Sequence, residues 1–210
     1  MVVLLIVAIG LAAMMAAGDP VLDFYVERAD HAFESRDPVA TGVTYSFRAH
    51  TFFKHVSRNG EINRIDSAVI EYYYSWGKLD SALAISGDAD RFDDLDLSYP
   101  NVFAAEYQHN LFPNDTGGTE MGIGFDTDSD DDARPVGLAL IDRDRYHLLW
   151  MYLSYPNKKG FRRFSRSLRF VEHEGRVFPD SLWVVAARDG VLFSEHYRIE
   201  VGITNITIGP

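Results

Sequence analysis

The feature that most constrains the fold is an alternation of apolar and polar residues that follows Gly42. Along residues 43–53 one face is apolar or aromatic and the other is mostly polar. Because successive side chains of a strand point to opposite faces, this period of two predicts a β-strand with one buried face. Asn59-Gly60 is a preferred hairpin turn, and residues 68–76 alternate on its far side. A third apolar segment, 79–85, follows Gly77, so the sequence predicts a three-stranded antiparallel meander.

One amphipathic helix is predicted directly before this meander. Asp19 is a favourable N-cap, and Pro20 suits the first helical turn. Apolar residues then recur at helical spacing as far as about Arg36. Asp37-Pro38 should end the helix, because the residue before a proline disfavours helical backbone.

The rest of the chain predicts further antiparallel strands after an irregular acidic stretch. Residues 101–112 are interpreted as a short helix. Residues 146–155 are apolar on both faces, which is typical of a central, covered strand. Turns at Glu174-Gly175 and Asp189-Gly190 separate the last strands. Since a large sheet with few helices must curl and cover one face, we expect a curved sheet in a single domain, residues 19–210.

Residues 1–18 differ from everything that follows, because they carry no charge and are mostly apolar. A segment of this kind, ending in Ala16-Ala17-Gly18, predicts a secretory signal peptide and therefore an exported protein. No Lys or Arg precedes the apolar run. The alternative is an uncleaved membrane anchor, since the length is near the lower limit for a bilayer span.

The amino-acid composition excludes several classes of protein function. The chain has no cysteine, which excludes disulfides, thiolate catalysis and cysteine-ligated zinc. Its formal net charge of −11 argues against nucleic-acid binding, which needs a basic surface. The seven histidines show no metal-ligand spacing, and the common nucleotide-binding and hydrolase motifs are missing. We therefore expect a non-catalytic protein with no cofactor and no metal.

The acidic segment 126–132 invites comparison with a calcium-binding loop. Its spacing begins like an EF-hand, but Asp131 stands where that loop requires glycine and Gly137 stands where it requires glutamate. We interpret the segment as a solvated acidic loop, with calcium binding as the alternative.

Several segments together resemble the LolA-like superfamily of bacterial envelope proteins. They are the opening amphipathic helix, the long hairpin around Asn59-Gly60, residues 137–142 running into an aromatic strand, and Glu174-Gly-Arg-Val-Phe-Pro-Asp-Ser-Leu182 before the last strand pair. The resemblance implies an unclosed β-barrel whose concave face is covered by helices, with an apolar cavity that accepts acyl chains or other amphiphiles. The expected fold is thus α+β, a curved antiparallel sheet or unclosed barrel of about nine to eleven strands with the N-terminal helix and a short helical insertion over the concave face.

Two sets of candidate contact residues follow. If the sheet encloses a cavity, the aromatic residues on its strands would line it; the alternative is that they simply form the core. The predicted ligand-binding residues are Tyr45, Phe47, Tyr72, Tyr74, Trp150 and Tyr152. Residues 158–169 form the one basic cluster, which is either a charged edge strand or a contact for headgroups or a protein partner. The predicted contact residues are Arg162, Arg163, Arg166 and Arg169.

Three functions remain open. The favoured one is a monomeric exported protein of the bacterial envelope that binds a hydrophobic or amphiphilic ligand, such as a lipid, an acyl chain or a lipoprotein. The second is a structural or partner-binding envelope protein with a filled core, which contacts its partner through the basic strand 158–169. The third is a hydrolase with an unrecognised carboxylate pair.

Overall fold

The computed structural model describes residues 19–57, 59–92, 97–112, 118–128, 131–189 and 194–209, and begins with the predicted helix. Helix α1 spans Pro20–Arg36. The Asp19 Oδ1 atom accepts a hydrogen bond from the Val21 amide at 2.9 Å, and Pro20 occupies the first turn. Extended Asp37 ends the helix before Pro38. The prediction for this helix is confirmed; the predicted signal, residues 1–18, lies outside the described residues.

Ten antiparallel strands follow and form one sheet in the order β3-β2-β1-β10-β9-β8-β7-β6-β5-β4. Strands that follow one another in the chain pair, except β3 and β4, and β10 returns to lie beside β1. Among the described residues β3 and β4 pair with one neighbour each and remain the edges, so the barrel is unclosed. The predicted architecture is confirmed. The strands are β1 Tyr45–Val56, β2 Ile62–Ser75, β3 Lys78–Gly87, β4 Gln108–Leu111, β5 Glu120–Asp126, β6 Val136–Asp142, β7 Leu148–Ser154, β8 Arg163–His173, β9 Arg176–Asp189 and β10 Ser194–Ile208.

The core lies on the face of the sheet that α1 covers, here called the concave face. On β1 the side chains of Tyr45, Phe47, Ala49 and Thr51 are buried, whereas the residues between them are more exposed. This is the pattern that the alternation predicts. Helix α1 reaches the concave face with Ala29, Ala32 and Phe33, which pack beside Leu148, Phe170 and Val177. Small residues let the helix approach the sheet closely.

The segment predicted as a short helix differs from the expectation. A single 3₁₀ turn lies earlier in the chain, at residues 89–92. Within residues 101–112, residues 102–106 form turns and Gln108–Leu111 is strand β4. The Asn101 side chain directs this, because its oxygen accepts the Phe103 amide at 3.1 Å and its nitrogen donates to Asp30 on α1 at 2.7 Å. An Asn that bonds its own backbone two residues on favours a turn over a helix. No helix among the described residues is long and apolar enough to span a membrane.

Candidate ligand-binding site

A cavity of about 420 Å³, here called the apolar cavity, lies on the concave face beside strands β1 and β2. Its wall includes the end of α1, the segment 97–99 and residues of β9 and β10. Most of the lining is apolar or aromatic. The described lining residues are Phe33, Asp37, Pro38, Val39, Ala40, Tyr45, Phe47, Tyr74, Gly77, Leu79, Leu97, Ser98, Tyr99, Phe178, Pro179 and Ile203.

Stacked aromatic rings form one side of the apolar cavity. Tyr45 of β1 is the cross-strand partner of Tyr74 of β2, and their ring centroids lie 4.9 Å apart at an interplanar angle of 4°. Phe47 lies 5.8 Å from Tyr74, and Phe178 meets Tyr45 edge-on at 5.4 Å. Aromatic pairs at such distances add stabilisation beyond their buried area. The rings therefore form both part of the core and a rigid cavity wall.

A partly buried hydrogen bond lies in the wall of the apolar cavity, next to the end of α1. The Tyr99 hydroxyl donates to Asp37 Oδ2 at 2.5 Å, while Asp37 Oδ1 accepts the amides of Val39 at 2.8 Å and Ala40 at 3.0 Å. Burial raises the pKa of Asp37, although these hydrogen bonds act in the opposite direction. Burial, and then the neighbouring Asp37 charge, raise the pKa of Tyr99 well above its ordinary value. This pair joins the end of α1 to the segment 97–103.

Tyr99 also lies where the apolar cavity adjoins a second one. Its ring packs edge-on against Phe33 of α1 at 6.0 Å and against Phe170 of β8 at 5.1 Å. Together with Ser98 it lines both cavities, so the two cavities adjoin at these residues. Local sequence patterns did not identify Asp37 or Tyr99 as site residues, because they are 62 positions apart and meet only in the folded chain.

The second cavity, of about 610 Å³, is here called the basic cavity. Its wall combines aromatic rings from several strands and loops with the side chains of Lys158, Arg166 and Arg188. Arg188 Cζ lies 4.3 Å from the Phe161 ring centroid, and Lys158 Nζ lies 5.8 Å from that of Phe164. At these distances cations are attracted to the ring faces. The described lining residues are Phe53, Phe92, Ser98, Tyr99, Pro100, Ala133, Tyr155, Lys158, Phe161, Phe164, Arg166, Val184, Arg188, Tyr197 and Ile199.

The six aromatic residues predicted to bind ligand fall into two groups. Tyr45, Phe47 and Tyr74 line the apolar cavity, and Tyr72 is buried on the same face with its ring 5.4 Å from Phe47. Trp150 and Tyr152 are not among the lining residues of either cavity. On β7 the fully buried concave positions are Met151 and Leu153, so Trp150 and Tyr152 point to the opposite, convex face.

The four predicted arginine contacts are also divided. Arg166 is buried and lines the basic cavity on the concave face. Arg162, Arg163 and Arg169 are exposed, and Arg169 forms an ion pair with Asp180, with Nη2 and Oδ2 2.6 Å apart. The structure therefore does not bring the four guanidinium groups to one surface.

The acidic segment contributes local hydrogen bonds in its described positions. Asp126 Oδ1 accepts the Thr127 amide at 2.7 Å, Asp128 Oδ2 accepts Gln108 Nε2 at 2.6 Å, and Asp131 Oδ1 accepts the Ala133 amide at 3.0 Å. Residues 129–130 lie outside the described part. Across the described residues, no group of three or more histidine or acidic side chains is arranged to hold a metal ion.

Comparison with known proteins finds similar solved structures but no match by sequence. No protein-family model matches the chain, and no curated protein matches it. Among solved structures, a LolA superfamily protein from Nitrosomonas europaea is 9% identical, with 89% of this chain and 92% of that chain covered and a TM-score of 0.42. A DUF1329 family protein from Desulfovibrio piger is 12% identical, with 91% and 94% covered and a TM-score of 0.46. One helix with an unclosed ten-stranded sheet is the architecture that the LolA-like resemblance implied.

Proposed function

We propose that this protein binds a hydrophobic or amphiphilic ligand in the apolar cavity and performs no catalysis on it. The observation that carries the proposal is the cavity itself, about 420 Å³ with a mostly aromatic and aliphatic lining. Small-molecule sites are concave, predominantly apolar and about 300–1,000 Å³ in volume. Burying an acyl chain stabilises a complex by about 0.8 kcal/mol per CH₂, against which the cost of association is set.

The polar groups at this cavity favour binding over chemistry. Buried Asp37 and half-buried Tyr99 bond to each other beside it, and Asp37 also accepts two backbone amides. A carboxylate held in this way fixes the geometry of the wall. We therefore assign to Asp37 and Tyr99 a positioning role, in which they hold the segment 97–103 over the concave face.

Native mass spectrometry of the full chain, purified without detergent, tests the proposal. We expect adducts of lipid or acyl mass, and binding of a fluorescent fatty-acid probe by the ligand-free protein. A clean ligand-free mass together with no probe binding would contradict the proposal and favour the partner-binding alternative.

Two leucines of β3 provide a matched pair of variants. Leu79 lines the apolar cavity, whereas Leu83 is the cross-strand partner of Glu71 on the convex face; they are 51% and 53% exposed. Leu79→Trp should fill part of the cavity and weaken probe binding, and Leu83→Trp should leave it unchanged. Equal effects of the two variants would mean that the probe does not enter this cavity.

We also propose that the protein is exported and acts in the bacterial cell envelope. The support is the uncharged apolar segment 1–18. The intact mass of protein recovered from the envelope fraction tests this, since a cleaved signal shortens the chain and an uncleaved anchor does not. Recovery of the full-length chain from the cytoplasm would contradict export.

A further inference from the structure

We infer that the ligand is an anionic amphiphile, whose acidic headgroup lies in the basic cavity while its chain occupies the apolar cavity. This inference rests on the proposed function and specifies the class of ligand. The protein carries a net charge of −11, yet the described lining of the basic cavity includes three cationic side chains and no carboxylate. Such a local reversal of charge sign selects for anions.

The three cations are placed by different elements and at different depths. Arg188 is exposed, Lys158 is half-buried, and Arg166 is 6% exposed on the concave face of β8. They therefore lead from solvent to the interior of the cavity. A guanidinium has five N–H groups in a fixed fork, so Arg166 can keep its contacts within the protein and still donate to a carboxylate or phosphate.

Aromatic rings hold two of these cations against the cavity wall. Arg188 lies over Phe161, and Lys158 lies near the rings of Phe164 and Tyr155, at 5.8 and 5.9 Å. An aromatic ring has no net charge, so it holds a cation without offsetting its positive charge, as a carboxylate would. The rings thus limit the side-chain freedom that would otherwise be lost when an anion binds.

Two acidic residues are cross-strand partners of residues that line the basic cavity. Asp66, the cross-strand partner of Phe53, accepts a hydrogen bond from Arg64 Nε at 2.8 Å. Glu195, the cross-strand partner of Arg188, lines a neighbouring groove and not the basic cavity. Neither belongs to the described lining of the basic cavity.

The two cavities adjoin at Ser98 and Tyr99, which line both. A molecule that occupies both cavities would place an apolar chain among Tyr45, Phe47 and Phe178, and a polar end near Lys158 and Arg166. This arrangement matches an amphiphile with one anionic end. A neutral amphiphile would leave the basic cavity without an anion and gain only the burial of its chain.

Three probes of equal chain length test this. Binding of dodecanoic acid, dodecyl phosphate and dodecanol to the full chain is measured by isothermal titration at low and high salt. We expect both anions to bind at least about tenfold more tightly than the alcohol, because hydrogen bonds between charged groups are the strong ones. The preference should fall as salt rises. The two anionic probes distinguish a carboxylate from a phosphate headgroup.

Matched variants locate the effect. The double substitution Lys158→Gln and Arg188→Gln should reduce anion affinity by about tenfold or more and leave dodecanol binding within about twofold. The control is Lys159→Gln with Arg198→Gln. Lys159 is the exposed neighbour of Lys158, and Arg198 is exposed between the lining residues Tyr197 and Ile199. This control should change no affinity.

Each outcome separates the two proposals. Equal affinity for all three probes, unchanged by the double variant, would overturn the anionic headgroup and leave the hydrophobic ligand standing. No binding of any probe would overturn both. Arg166→Gln provides a further check in the interior of the cavity, provided that its circular dichroism spectrum and melting temperature match the parent; an unchanged anion preference there would exclude Arg166 from the headgroup site.

Discussion

The concave and convex faces of the sheet carry the same kinds of side chain, but those side chains differ in what surrounds them. On the concave face, Tyr45 and Tyr74 stack at 4.9 Å, and Phe178 packs edge-on against Tyr45 in the wall of a cavity. On the convex face, Trp150 and Tyr152 stack at 6.4 Å and remain half-buried, outside both cavities. The face on which a residue lies therefore decides its role more than its chemical type does.

Truncating one aromatic ring on each face tests this comparison with the largest expected effect. Phe47→Ala should lower the free energy of unfolding by about 3–5 kcal/mol, because it removes a ring that is 5% exposed and opens a void. Trp150→Ala should cost about 1 kcal/mol, since that ring is already partly solvated. Urea denaturation measures both. Similar losses for the two variants would show that the convex aromatic residues are as important to the core as the concave ones.

The same comparison shows what could be predicted from the sequence. Residues 43–53 alternate apolar and polar positions, so the buried face of β1 and the cavity residues Tyr45 and Phe47 could be identified. Residues 148–153 are apolar at every position, so alternation does not distinguish the two faces of β7. The β6–β7 ladder also contains an irregularity between Leu140 and Ile141, which no periodicity reveals.

The site depends on contacts between distant parts of the chain, and these were the least predictable. Asp37 could be recognised as the end of a helix, but its hydrogen bond to Tyr99 joins that end to a segment with no regular pattern. The four arginines of 162–169 were grouped because they are close in sequence. A strand places alternate side chains on opposite faces, and Arg166 is therefore buried while Arg169 is exposed.

The second prediction compares a buried polar pair with an exposed one. Tyr99→Phe removes the hydroxyl that donates to buried Asp37, and should cost about 1–3 kcal/mol at neutral pH. Asp180→Asn, which alters the exposed pair with Arg169, should cost much less. Thermal unfolding measures both. Equal losses would mean that Asp37 regains a partner, such as water, when the Tyr99 hydroxyl is removed.

The cost of Tyr99→Phe should also depend on pH, because the hydroxyl donates to an ionisable acid. Burial raises the pKa of Asp37 in the folded protein, so folding favours the protonated acid. The stability that protonated Asp37 contributes is complete below the pKa of Asp37 in the unfolded chain. It is lost as pH rises through the pKa of Asp37 in the folded protein. The Tyr99 hydroxyl opposes this by stabilising the carboxylate, so its removal should cost more at pH 7 than at pH 4. In an Asp37→Asn background this pH dependence should disappear.

A third prediction concerns a fully buried hydroxyl on the concave face. Thr51 lies between Ala68 and Val201, and within the described part of the chain its Oγ1 atom has no hydrogen-bond partner. Thr51→Val should therefore stabilise the protein by about 1 kcal/mol, because it removes an unsatisfied polar group without changing shape. Thr207→Val, at an exposed position of β10, should be nearly neutral. A loss of stability in Thr51→Val would indicate that the hydroxyl binds an internal water.

The smallest expected effect concerns His147, which is buried beside α1 near Ala29 and Phe33. Burial lowers the pKa of His147, while the charges of Asp142 and Glu172 act in the opposite direction. The pKa of His147 is therefore lower in the folded protein than in the unfolded chain, so folding favours the neutral ring. The stability that the neutral ring contributes is lost as pH falls from above 6.5 towards the pKa in the folded protein. His147→Gln should therefore flatten the fall in melting temperature over this range, whereas His50→Gln, at an exposed position of β1, should leave the slope as it is. If both variants left the slope unchanged, the acid sensitivity of the protein would have to arise from groups outside the contact between α1 and the sheet.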